Sequence, residues 1–207
     1  MIDAPLDVFL DRLASATPTP GGGSAAAAIG AMGAALISMV CNVTLSKKGQ
    51  EAVAAHMQAV LVESERLRAA LSGMMTEDIA AFDSLMQAYR LPKDSDADKA
   101  ARAAAIQHGL RAATEAPLDC ARACAELIGI AGRVAEHGFK GVISDAGVGV
   151  LAAQTALRSA ALNVEINVPS LTDRAYAEAA RAELTRLLAT GQQASEAVFA
   201  LVRRRLG

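Results

Sequence analysis

Apolar residues recur at steps of three or four over long stretches of the chain, and no window alternates as a strand would. That period predicts a short helix at about 4–15 and a second at about 24–46, opening on Ser24 as a cap. A third spans about 50–90 and stops before Leu91-Pro92, because the residue before a proline avoids the helical region. The loop 93–95 leads to a fourth helix at about 96–115. Pro117 kinks or restarts it, and the pattern continues to His137-Gly138, where glycine suits a helix end. A connector, FKGVI, precedes a helix at about 145–167, which Pro169 ends. A last amphipathic helix runs from about 172 to 206, with an interruption expected near Gly191. The expectation is an all-α bundle of about six to seven helices, forming a single domain over residues 1–207.

Two of these helices carry polar groups where the period calls for apolar ones. The seam of the third reads Val53, Met57, Val60, Ser64, Leu67, Leu71, Met74, Asp78, Phe82, Leu85, Tyr89. Asp78 sits on it between Met74 and Phe82, whereas Asp83 shares the polar face with Gln87 and Arg90. An inward carboxylate is costly unless paired or hydrogen-bonded, so Asp78 is either a satisfied structural group or the lining of a cleft. In the helix 145–167, Asp145, Ser159, Asn163 and Asn167 fall along one stripe with Ala152 and Ala156 at 100° per residue. Gln154, Arg158 and Glu165 fall opposite, as a solvated face or a subunit contact. The asparagines either bond between helices or read a heterocycle with donor and acceptor edges. Asp145, next to Ser144 at the helix start, is favoured there by the dipole and suits a fixed negative charge.

Composition narrows the class. Hydrophobic residues make up 53%, with alanine the commonest, and aromatics only 3%. A net charge of −2 with no basic patch argues against nucleic acid as a partner. Cys41, Cys120 and Cys124 form no Cys-x-x-Cys pair and no zinc spacing with the histidines, which points to reduced, buried thiols in a cytoplasmic protein. The start MIDAPLDVFLDRL lacks the basic and apolar regions of a signal peptide. Residues 25–41 approach the length of a membrane span, but their Ala and Gly content fits close packing among helices better.

Residues 18–30, PTPGGGSAAAAIG, place three glycines before the second helix. Each glycine loses more backbone entropy on folding than any other residue, so a triplet implies an unusual path or a close approach. Backbone N–H groups at a helix start can form a donor concavity, and a flat ring could approach them. The stretch is neither a Walker loop nor a dinucleotide fingerprint, and a simple hinge is the competing reading. Thr44 and Lys48 follow one face at that helix's end, where the dipole favours lysines in any case.

The stretch PTPGGGSAAAAIGAMGAALISMVCNVT with SKKG, then EDIAAF, RLPKD, APL, ISDAGV and LNVEINV, resembles the formimidoyltetrahydrofolate cyclodeaminase and methenyltetrahydrofolate cyclohydrolase family over essentially the whole chain. The resemblance implies an all-helical homodimer with a folate pocket lined by a loop and helix ends. It carries substrate-binding roles onto Gly21, Gly22, Gly23, Ser24, Thr44, Lys47, Phe82, Ser144, Asn163 and Asn167, and catalytic roles onto Asp78, Asp145 and Lys48. Without a formiminotransferase domain, the chain is expected to hydrolyse 5,10-methenyltetrahydrofolate to 10-formyltetrahydrofolate. The alternatives are cyclodeamination with release of ammonia, or folate binding without catalysis. The folate is the substrate, and no cofactor, metal, nucleic acid or membrane is expected to take part.

Overall fold

The computed structural model describes residues 5–207. Six α-helices account for most of them: α1 (Leu6–Leu13), α2 (Gly22–Ser46), α3 (Ala54–Tyr89), α4 (Asp96–His137), α5 (Ile143–Asn167) and α6 (Arg174–Leu206). Single 3-10 turns, Glu51–Val53, Lys140–Val142 and Val168–Ser170, join three of the connections, and no strand occurs among the described residues. The first residue of the expected helix at 4–15 lies outside the described residues.

Helices α2, α3, α4 and α5 run alternately up and down, each packed on the next, and α5 closes the ring against α2. Helix α6 lies outside, in the groove between α4 and α5. Alanine and glycine make the ring tight. A Cβ on Gly33 would lie 2.8 Å from the Gly149 carbonyl, and one on Gly149 would lie 3.1 Å from the Gly33 carbonyl, so α2 and α5 touch backbone to backbone. Across the α2–α3 contact, Ser38 and Ser64 share a buried hydrogen bond of 2.8 Å. Helix α2 is long and apolar enough to cross a membrane by length and composition, with a mean hydropathy of 1.9, yet it packs along α3 and α5 with most of its surface covered.

Two expectations of a break are corrected. Helix α4 runs unbroken through Pro117, and α6 runs unbroken through Gly191, where a Cβ would meet Leu157 at 2.5 Å. Glycine there is a packing requirement rather than a stop signal. Ser95 and Asp98 start α4 with a reciprocal capping box. All three cysteines are free and buried, and burial pushes the Cys41 thiol up to about 11.

Arg122 ties α4 to α6. Its Nε and Nη2 donate to the Glu183 carboxylate at 2.8 and 2.7 Å, and its Nη1 donates to Glu115 and Asp119 at 2.6 Å each. The hydrogen bonds from Arg122 hold the Glu183 carboxyl below the usual carboxylate range. A carboxyl depressed in the folded state stabilises the fold above its unfolded value of about 4.3, and that contribution disappears as the pH falls through the folded value. We therefore expect Arg122→Met to cost about 1 kcal/mol at pH 7, kept small because solvent reaches the cluster, or a fall of about 2–4 °C in Tm. In thermal melts across pH the gap to the wild type should narrow below about pH 4; equal melting temperatures at pH 7 contradict the assignment.

Candidate active site

The glycine triplet has its explanation in α3. Gly21 caps α2 with extended backbone and no side-chain partner, and the helix begins at Gly22. The Gly22, Gly23 and Ser24 N–H groups therefore have no acceptor within their own helix. The Asp78 carboxylate lies directly against Gly23. A Cβ at that position would fall 2.0 Å from Asp78 Oδ1 and 2.5 Å from its Cγ, so any other residue would have to displace the carboxylate. Ser24 is not the cap that the sequence suggested. It is the third residue of the helix and fully buried, and its hydroxyl donates to Asp78 Oδ2 at 2.8 Å, with the Met75 carbonyl at 3.1 Å. Ser24 thus fixes the carboxylate that Gly23 makes room for.

Helix α5 brings its two asparagines to the same place. Asn163 Nδ2 donates to the Ser159 carbonyl at 2.9 Å, and its side chain comes within 3.4 Å of where a Cβ on Gly22 would stand. Asn167 Nδ2 donates to the Asn163 carbonyl at 3.0 Å and to the Ala113 carbonyl at 2.8 Å. The second bond has a cause in α4. Pro117 has no N–H to give to the carbonyl four residues back, which is Ala113, and Asn167 supplies the missing donor. With the amide N–H groups held by backbone carbonyls, the two Oδ1 atoms remain as acceptors.

Unequal helix lengths open the cavity. Helices α3 and α4 have 36 and 42 residues against 25 each for α2 and α5. Beyond the Asp78–Gly23 contact, α3 continues to Tyr89, roughly 16 Å at 1.5 Å per residue. A hollow of about 370 Å³ lies under that overhang. Its floor is Gly21, Gly22, Gly23, Asp78, Asn163 and Asn167; Ala81, Phe82, Leu85, Met86 and Tyr89 line the α3 wall and Leu110 and Ala113 the α4 wall. Pro18, Thr19, Ile166 and Ser170 complete the rim. This volume falls within the roughly 300–1,000 Å³ that suits a small organic ligand. The wall residues Leu85 and Tyr89 belong to the seam that marks Asp78, but nothing in the period separates a seam facing a cavity from one facing the core. Leu110, Ala113, Ile166 and Ser170 had no signal of their own.

The other candidates lie at the opposite end of the bundle. Thr44 is fully buried; its hydroxyl donates to the Val40 carbonyl at 2.6 Å and accepts from the Phe139 N–H at 2.9 Å, fastening α2 to the turn before α5. Lys47 and Lys48 come after α2 ends, exposed, with Lys47 Nζ 5.4 Å from the Phe139 ring centre. Ser144 and Asp145 lie in the first turn of α5. At 1.5 Å per residue the length of α2 separates this group from Gly22 by about 36 Å. One chain therefore does not gather all the candidates. Among the described residues, no group of three or more His, Cys, Asp or Glu side chains is placed to hold a metal ion.

Comparison with known proteins agrees with the fold. The sequence model of the family described as formiminotransferase-cyclodeaminase matches residues 5–186. A methenyltetrahydrofolate cyclohydrolase of Methylorubrum extorquens is 54% identical over 198 residues, covering 96% of this chain and 95% of that one. The formimidoyltransferase-cyclodeaminase of Sus scrofa is 36% identical over 91% of this chain, which spans only 35% of that longer protein. The crystal structure of formiminotetrahydrofolate cyclodeaminase from Thermotoga maritima superposes with a TM-score of 0.81 at 29% identity, covering 99% of this chain and 96% of that one. The chain belongs to the formiminotransferase-cyclodeaminase family.

Proposed function

We propose that this protein hydrolyses 5,10-methenyltetrahydrofolate to 10-formyltetrahydrofolate in the hollow at the start of α2. The observation that carries the reading is the Asp78 carboxylate, wedged on Gly23 and held by Ser24 at the floor of a small-molecule cavity. The 54% identity to a methenyltetrahydrofolate cyclohydrolase, over nearly the full length of both chains, favours hydrolysis over cyclodeamination. The edge of a pterin offers N–H donors beside a carbonyl acceptor. The floor offers carboxylate and amide oxygens beside the uncapped N–H groups of Gly22 and Gly23, which matches that edge.

The reaction needs negative charge near a cationic amidinium carbon and a base for water. Asp78 supplies both from one position. Water oxygen adds to the carbon between N5 and N10 as a proton moves toward the carboxylate. The bond from that carbon to N5 then breaks, its electron pair returns to N5, and N5 takes a proton. The second proton of the water leaves to solvent, which balances the loss of the positive charge. Apolar walls around Phe82 and Leu85 keep the dielectric low, so the carboxylate acts more strongly there than in bulk water. Nothing in this sequence of steps calls for a metal or a second cofactor. The three buried free thiols suit work in the reducing cytoplasm, and the assembly we propose is a homodimer.

Loss of methenyltetrahydrofolate absorbance tests the reading. Asp78→Asn should lower turnover by about 10²–10⁴-fold; full turnover with the fold intact removes Asp78 from the chemistry. Ammonia release from formimidoyltetrahydrofolate, without hydrolysis of the methenyl compound, would turn the assignment to cyclodeaminase. Gly23→Ala probes the wedge separately. Its Cβ displaces the carboxylate by about an ångström, so kcat/KM should fall about 10²-fold while circular dichroism stays helical; unchanged kcat/KM contradicts the wedge.

A further inference from the structure

The far end of the hollow carries a fixed cation that the proposed chemistry does not use. Helix α3 ends at Tyr89, whose side chain lines the hollow and is 42% exposed at its mouth. The last four carbonyls of a helix find no N–H donor within it. Arg102 of α4 supplies one to Tyr89: its Nη2 donates to that carbonyl at 3.0 Å and its Nε at 3.3 Å. The centre of the guanidinium also stands 5.9 Å from the middle of the Tyr89 ring, within reach of a cation–π contact. Backbone and ring of one residue therefore fix where this charge sits.

The charge has no counterpart within the chain. On the same helix Lys99 pairs with Asp96 and Arg111 with Asp173, whereas Arg102 forms no ion pair among the described residues. Asp98, one turn before it, is committed to the Ser95 hydroxyl and N–H. A guanidinium has five N–H donors in a planar fork. Nε and one N–H of Nη2 face the Tyr89 carbonyl, so the edge formed by Nη1 and the other N–H of Nη2 stays open. That edge suits a carboxylate held by two parallel bonds.

The hollow is thus zoned along α3. Its floor has donors and acceptors from Gly22, Gly23, Asp78 and Asn163; its middle is apolar, with Phe82, Leu85 and Leu110; its mouth has the guanidinium beside Tyr89. A folate carries matching chemistry in the same order: a heterocycle, a benzoyl ring and a glutamate with two carboxylates. We propose that Arg102 anchors the substrate's tail, with the pterin on the floor, the glutamate leaving past Tyr89, and one of its carboxylates accepting two hydrogen bonds from the open edge. The inference rests on the folate reading and adds to it a residue that selects substrates carrying the glutamate. Arg102 touches no reacting atom. It holds substrate and transition state equally, which lowers KM and leaves kcat alone.

A plain tether between α4 and the end of α3 would serve every substrate alike, and that difference decides the matter. The comparison is 5,10-methenyltetrahydrofolate against 5,10-methenyltetrahydropteroate, which lacks the glutamate. The wild type should show a KM about tenfold higher for the pteroate compound, the effect of one charge-assisted contact, at similar kcat. Arg102→Met should raise KM for the folate by about the same tenfold factor. Its KM for the pteroate compound should match that of the wild type. Arg90→Met, which removes an exposed charge next to Tyr89, should alter neither. A wild type indifferent to the glutamate overturns the anchor without any variant. So does an Arg102→Met loss of equal size on both compounds, or an Arg90→Met loss that matches it. A wild type that turns over neither compound refutes the proposed function instead. Calorimetric Kd values for tetrahydrofolate and tetrahydropteroate then carry the comparison, and equal values overturn the anchor too.

Discussion

The site depends on one contact, the Asp78 carboxylate lying where the Cβ of any other residue at position 23 would be. An ionised carboxylate cannot be left without partners in a half-buried place. Ser24 supplies a hydroxyl at 2.8 Å from the next residue of the same helix, while Gly23 gives the space. The start of α2 and the middle of α3 are thus held together through the group that the chemistry needs. The contact leaves the N–H groups of the first turn of α2 open beside a fixed negative charge, so the floor carries donors and acceptors within one small area.

Everything around that floor follows from helix length and small side chains. The Gly33–Gly149 approach brings α5 close enough for Asn163 to reach Gly22. The proline inside α4 removes one hydrogen bond, and the Ala113 carbonyl it frees orients Asn167. A residue that would ordinarily weaken a helix here sets the angle of a side chain in the cavity. The overhang of α3 and α4 then supplies apolar walls from residues that elsewhere in the same seam pack in the core.

Much of this was legible in the sequence. The 3.6-residue period gave the helices and singled out Asp78, since a carboxylate between Met74 and Phe82 breaks an otherwise apolar seam. The glycine triplet signalled a close approach but not its partner, because which side chain fills the space left by a missing Cβ depends on a neighbour 55 residues away. Ser24 was misread as a cap for the same reason: its hydroxyl serves another helix rather than its own. Pro117 and Gly191 were read as breaks, although packing and one amide satisfy both within continuous helices. Periodicity also cannot say at which end of a helix a polar group lies relative to others. The resemblance carried roles onto Thr44, Lys47, Lys48, Ser144 and Asp145 one residue at a time, which does not say whether one chain brings them to the end that holds Asp78.

The central claim is that the hollow over Gly22 and Gly23 is where a pterin sits. A crystal structure of the protein soaked with a tetrahydrofolate analogue tests it most directly. The account predicts the ring lying over the first turn of α2, with its N–H edge within about 3 Å of Asp78 and its flanks against Phe82 and Asn163. A ring bound anywhere else on the bundle, with this hollow empty at saturating ligand, contradicts the account.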